Sequence, residues 1–301
     1  MRRFVGGLAG ASVLTAAAVL GVPAQAGVAA AEGTAAACSL VAESITANGT
    51  DAGSVITATT PPGKSATGTT PGIYQPGQVR LATTFIHEPN IPGVDVSGWV
   101  VQGDGLYRSF YSTNEPEQKK LTRIGGGWTN YTALEVSQYA DVNFTVYRQT
   151  AYGLRSDGTL YRWNIGSSWR LTGSATGFGA VKSMALISKT PTYDTFLANL
   201  RGGSLYTIRI PTTAPMKPIV KQVRAGTWQG FEKLTATKCG VNSTLLLGID
   251  KDTKSGYLYA VGHANGTATV IQSRGKVNGT FPDPVNFRWG VVADLDPLNG
   301  D

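Results

Sequence analysis

Along most of the chain, apolar residues come in short runs closed by glycine, aspartate or serine. Gly98-Trp99-Val100-Val101, Ala151-Tyr152-Gly153-Leu154, Thr195-Phe196-Leu197-Ala198 and Thr244 to Ile249 are the clearest. Runs this short, rich in β-branched and aromatic residues, predict strands rather than helices. Ser39 to Ile45, Ser54 to Thr59 and Val79 to Ile86 have the same character. The first 26 residues follow another pattern. Met1-Arg2-Arg3 is a short positive start, Phe4 to Val22 is apolar, and Pro23-Ala24-Gln25-Ala26 ends in Ala-x-Ala. This predicts a secretion signal over 1–26, with an uncleaved membrane anchor as the alternative. Its Ala/Gly/Val-heavy make-up resembles leaders of high-GC actinomycete bacteria. No later stretch is apolar enough to span a bilayer as a helix, so membrane insertion is not expected and the remainder is expected outside the cell.

After each run comes a recurring phrase. Asp104-Gly105-Leu106-Tyr107-Arg108, Asp157-Gly158-Thr159-Leu160-Tyr161-Arg162, Gly202-Gly203-Ser204-Leu205-Tyr206-Thr207 and Ser255-Gly256-Tyr257-Leu258-Tyr259-Ala260 are its four clear copies. Asp-Gly and Gly-Gly supply the left-handed residues of a tight hairpin turn, and Leu-Tyr opens the returning strand. The leucines lie 54, 45 and 53 residues apart. A second phrase sits between the hairpins: Gly126-Gly127-Trp128-Thr129-Asn130-Tyr131, Gly177-Phe178-Gly179-Ala180-Val181 and Gly226-Thr227-Trp228-Gln229-Gly230-Phe231, with Phe287-Arg288-Trp289-Gly290-Val291-Val292 as a weaker copy. Strand, hairpin, strand, loop, strand, Gly-aromatic loop, strand is the repeat of a propeller blade. The fold class expected is therefore all-β: a β-propeller of four-stranded antiparallel blades, five in number. Four blades behind an N-terminal extension is the alternative. The domain plan is a signal over 1–26, a flexible segment over 27–37 and one propeller over 38–301. Its divergent first blade covers 38–78, where Gly72-Ile73-Tyr74 is a degraded Gly-Leu-Tyr. Pro61 to Pro71 is expected to be a loop, and Gly290 to Leu295 to pair with the N-terminal strands.

Composition narrows the function. Charged residues are only 15% of the 301, with 38 glycines and 15 prolines, which suits many turns and no long charged helices. Removing 1–26 takes away Arg2 and Arg3 and lowers the formal charge from +7 to +5. The remaining lysines and arginines are scattered, so nucleic acid is not an expected partner. Cys38 and Cys239 are an even count in a secreted chain and favour one disulfide, with two buried thiols as the alternative. With His87 and His263 the only histidines, neither a metal site nor another cofactor is expected.

The paired motifs, Gly127-Trp128-Tyr131-Leu134 with Asp157-Gly158-Leu160-Tyr161 and Trp228-Phe231-Leu234 with Gly256-Leu258-Tyr259, resemble the repeat of the tachylectin family over roughly Val79 to Leu295. The resemblance implies five blades that bind N-acetylated amino sugars, one site per blade. Phe178 stands where that pattern has Trp.

Sugar recognition needs an aromatic face against the apolar side of the ring and a few polar groups for its hydroxyls. The candidate binding residues are Gly127, Trp128, Asn130, Tyr131, Phe178, Trp228 and Phe231. For Trp128 and Trp228 a core position is an equal alternative; the tyrosines of the Leu-Tyr pairs, Trp99, Trp163 and Trp169 are read as structural. Glycans of the GlcNAc or cell-wall type are the expected partners, and other secreted proteins are possible ones in an antibacterial toxin assembly. No catalytic residue stands out, because nucleophile elbows, zinc-binding histidine pairs and phosphate loops are all missing. A glycoside hydrolase using two carboxylates is the remaining alternative.

Overall fold

The computed structural model describes residues 37–88, 95–115 and 117–301. The expected signal and all but the last residue of the expected flexible segment lie outside the described residues. Strand pairing gives two separate four-stranded antiparallel sheets and one sheet of thirteen strands, whose antiparallel stretches are joined by short parallel contacts. One antiparallel group begins with Ser39–Ile45 (β1), Asp51–Thr57 (β2) and Gly63–Thr70 (β3). The next holds Val79–Ala82 (β4), Phe85–His87 (β5), Asp95–Gln102 (β6), Gly105–Ser112 (β7) and Lys119–Gly125 (β8). Both β4 and β5 pair with β6, so they are one strand broken at Thr83-Thr84. Tyr131–Ala140 (β9), Tyr147–Arg155 (β10), Leu160–Ile165 (β11) and Trp169–Ala175 (β12) form a third group. Val181–Lys189 (β13), Tyr193–Leu200 (β14), Leu205–Pro211 (β15) and Ile219–Arg224 (β16) form a fourth. Lys233–Cys239 (β17), Ser243–Asp250 (β18), Ser255–Val261 (β19) and Ile271–Thr280 (β20) form a fifth.

The last strand, Val285–Gly290 (β21), returns to the first group and pairs antiparallel with β1, Ala42 opposite Arg288 and Ile45 opposite Val285. This is the expected pairing of late and early chain, moved upstream: the strand is 285–290, not 290–295. Between groups the backbone contact is slight, a single parallel pair at Asn278 and Gly63 and two at Trp289-Gly290 and Phe85-Ile86. The first strands of the groups neighbour one another in the order β4, β9, β13, β17, β21 and back to β4.

Burial is least in the fourth strand of each group. β13 is almost wholly buried, whereas β8, Lys119 to Gly125, has no buried residue. A fourth strand faces solvent on both sides and needs no apolar residues, only a neighbour to hydrogen-bond. That explains β3. Its sequence, Gly63 to Thr70, has glycine, threonine, serine, one alanine and one lysine, where a loop is expected; it is a strand because β2 presents an open edge to it.

The Leu-Tyr phrases do what their turns require. Leu106, Leu160, Leu205 and Leu258 are at most 1% exposed, each contributing about 2 kcal/mol by burial. The tyrosines beside them are only partly buried. One phrase is out of register. Tyr161 and Tyr206 lie three residues after the turn residues Gly158 and Gly203, and the residue three after Lys254, at the equivalent place in the fifth group, is Tyr257 rather than Tyr259. Cys38 and Cys239 form the disulfide, 5.6 Å apart at Cα, tying the start of β1 to the end of β17. Among the described residues no helix is long and apolar enough to cross a membrane.

Candidate functional site

Each Gly-aromatic loop leads into the first strand of a group and reaches back to the hairpin of the group before. The Trp128 N–H donates to the Asp104 carbonyl at 3.0 Å, Phe178 to Gly158 at 2.9 Å and Trp228 to Gly203 at 2.9 Å. Two further residues make the same bond: Tyr74 to the Gly49 carbonyl at 3.1 Å and Phe281 to Lys254 at 2.9 Å. The motif thus has five members, an aromatic residue at 74, 128, 178, 228 and 281 locking one group to the next. This corrects two assignments. Gly72-Ile73-Tyr74 is the loop, not a hairpin phrase, and Phe287 to Gly290 lies in β21 while Phe281 takes the loop position.

The loop conformation explains its residues. Gly127 and Gly177, just before the aromatic residue, have φ of 86° and 98°, where a side chain is strained. Thr227 holds the same position at φ 78° with a β-branched side chain. In the first of the three loops Asp104 adds a clamp: its Oδ2 accepts the Gly127 N–H at 2.8 Å and its Oδ1 the Thr129 hydroxyl at 2.7 Å. These bonds, the Gly127 N–H first, hold its pKa down at about 2. Gly127 and Asn130 are exposed.

The aromatic candidates themselves are buried. Trp128, Tyr131, Phe178, Trp228 and Phe231 are all at most 9% exposed. Trp128 lies 4.3 Å from Tyr131, 5.4 Å from Trp163 and 5.8 Å from Trp169, ring centre to ring centre. Trp228 lies 4.7 Å from Tyr259 and 5.7 Å from Phe231. Around Phe178 the equivalent rings are missing. Trp163 and Tyr259 stand five residues after Gly158 and Lys254; the residue five after Gly203 is Ile208. Tyr131 and Phe231 stand three residues after their tryptophans; Val181 stands three after Phe178. The volume left by these two smaller residues is a cavity of about 380 Å3, lined by Phe178, Val181, Tyr206, Ile208, Pro218 and Val220 with Thr176 and Gly177 at the loop.

A second constellation was not legible from spacing. Glu43 on β1 and Asp51 on β2 share a face of the first group because Glu43 pairs with Gly53 and Asp51 with Ile45. The two carboxyls lie within hydrogen-bonding reach of each other, and Tyr111 donates its hydroxyl to Asp51. Burial, then repulsion from Asp51, pushes Glu43 up to about 9; burial also raises Asp51, against the Tyr111 hydrogen bond that lowers it. Glu43 Oε1 and Asp51 Oδ1 are both buried and accept no hydrogen bond. The pair is closer than the roughly 5 Å a retaining glycosidase needs between its two carboxylates. Among the described residues, no three His, Cys, Asp or Glu side chains are grouped to hold a metal.

No family model matches the chain, and no curated protein matches it. Among solved structures it is similar to a fucose-specific lectin from Aleuria aurantia, at 12% identity and TM-score 0.45 over 79% of this chain and 80% of that one. It is also similar to AofleA from Arthrobotrys oligospora, at 11% identity and TM-score 0.44 over 80% and 76%. The WD40 domain of SCAP from fission yeast follows, at 10% identity and TM-score 0.37 over 80% and 75%.

Proposed function

We propose that this chain is a secreted, non-catalytic carbohydrate-binding protein whose five strand groups are the blades of one closed propeller. β21 and β1 to β3 together make the closing blade. The sugar site is the cavity beside Gly177 and Phe178. The observation that carries this reading is the loss of two rings at Val181 and Ile208, beside a space of monosaccharide size lined in part by Phe178 and Tyr206. Phe178 and Tyr206 offer aromatic surface to the apolar side of a pyranose, while the Tyr206 hydroxyl and the Thr176–Gly177 backbone offer hydrogen bonds. An acetamido methyl suits the apolar wall of Pro218 and Val220, so N-acetylated amino sugars are the first ligands to try. The Trp128 and Trp228 loops, with their rings already covered, contribute Gly127, Asn130 and other exposed loop atoms at most, and serve mainly as locks between blades. Export from the cell fits the Cys38–Cys239 disulfide.

Retention of the chain on immobilised chitin oligomers or an N-acetylhexosamine resin tests the reading. Ile208→Trp restores the ring found in the neighbouring groups and should abolish retention while the thermal midpoint holds or rises. Retention unchanged in Ile208→Trp would place the site elsewhere. Binding to no glycan at all would end the carbohydrate reading.

A further inference from the structure

The five first strands enclose a second cavity, of about 200 Å3, at the end where the aromatic loops lead into them. Its wall carries Arg80 at β4, Lys182 at β13, Lys233 at β17 and Lys251 after β18, against a single carboxylate, Glu232. Four cations thus line one wall, Arg80 at its exposed rim, with Asp283 and Glu135 the further carboxylates near enough to act on Lys251 and Lys233. The Glu232 carboxylate is already used: one oxygen accepts from Lys182 Nζ, the other from the Lys251 backbone N–H at 2.7 Å. Arg80 donates to two neutral carbonyls, Gly103 at 3.1 Å and Trp128 at 2.8 Å. Lys251 Nζ likewise meets only neutral acceptors, the Asp283 carbonyl and the Asn286 side chain.

Burial lowers the pKa of Lys233 against the pull of Glu135, and burial together with the Lys233 charge brings Lys251 down to about 8 against the pull of Asp283 and Glu232. Cations crowded together and partly withdrawn from water repel one another, a cost that a bound anion would return. The propeller does not need these lysines for its hydrogen bonding, since its first strands pair through backbone. We propose that the axial cavity is an anion site that takes a phosphate or sulfate group, held by Lys233 and Lys251 with Lys182 and Arg80 as further positive charge. Lysines can hold such a group as point charges, and an arginine can add a fork that matches two of its oxygens.

The site is separate from the cavity beside Phe178, and its test reads inorganic ions, so either proposal can fail alone. The thermal midpoint of the full chain is followed against sodium phosphate and sodium sulfate, with sodium chloride at matched ionic strength as the reference. The midpoint should climb with phosphate or sulfate beyond the chloride curve, and titration calorimetry should give saturable binding. Lys233→Met and Lys251→Gln should each weaken binding about tenfold or more, the loss expected for one charge-assisted contact. Both variants should fold, since removing one of several crowded, half-buried ammonium groups relieves repulsion, and their midpoints without ligand should equal or exceed the parent's. Lys276→Gln, on the exposed face of β20, should leave binding unchanged. A galactose 6-sulfate and glucose 6-phosphate arm separates the two sources of the group. Binding to the esters tighter than to the inorganic ions indicates an anionic glycan, and equal or weaker binding indicates the free ion. Midpoints that track chloride alone, or binding indifferent to both lysine substitutions, would overturn the site.

Discussion

Thr227 occupies a left-handed backbone conformation that its two relatives in the other loops fill with glycine. The strain of a β-branched residue there is of order 1–3 kcal/mol, and the extra unfolded-state freedom of glycine returns somewhat less. Thr227→Gly should therefore stabilise the chain by about 1 kcal/mol, seen as a higher urea midpoint; a lower one would show that the threonine is not strained. The Glu43–Asp51 pair makes a prediction of opposite kind. Glu43 binds a proton more tightly folded, at about 9, than unfolded, so its contribution to stability is present at low pH and is lost as pH rises from the ordinary carboxylate range toward 9. The thermal midpoint should fall across that window, and Glu43→Gln should flatten the fall. At this scale the sequence showed turn glycines and candidate rings but not this pair, whose residues meet only through the register of β1 against β2.

Elements carry the next set of constraints. Gly153 on β10 and Gly248 on β18 lie under the rings of Tyr131 and Phe231, and a Cβ at either would come within 2.9 Å and 2.8 Å of ring carbons. Ala at Gly248 should cost about 2 kcal/mol as an overpacked contact, measured by chemical denaturation. The equivalent position on β14, opposite Tyr206 as Gly153 is opposite Tyr161, is Ala198, which belongs to the same core cluster as the smaller Val181. Val181→Phe alone should therefore destabilise, whereas Val181→Phe with Ala198→Gly should recover stability and close the cavity. The hairpins and three of the five loops were legible because glycine and tryptophan recur in them. Tyr74 and Phe281 were not, since Ile73 and Thr280 precede them and only the shared hydrogen bond to the previous hairpin reveals their kinship. β3 escaped notice for the opposite reason: a strand exposed on both faces has no hydrophobic pattern to detect. The cavity itself is an absence of volume, legible only once Ile208 and Val181 are aligned with Trp163 and Tyr131.

For the whole molecule, the pairing of β21 with β1 and the disulfide beside it secure the same junction. Cys38 and Cys239 are 201 residues apart, so the bridge removes a large loop entropy from the unfolded chain, about 5 kcal/mol in the chain-entropy model. Replacing both by serine should lower the urea midpoint markedly without altering ligand retention, because neither cysteine lines the cavity. The disulfide and the all-β class were the most secure readings of the sequence; the arrangement of its groups needed the strand register. The central claim, that the space beside Phe178 receives a sugar, is tested most directly by methyl NMR of the chain titrated with N-acetylglucosamine. Shifts that begin with Ile208, Val181, Val220 and Leu200 and saturate together are the result this account predicts. Shifts centred on other methyls, with those four unmoved at saturation, would contradict it.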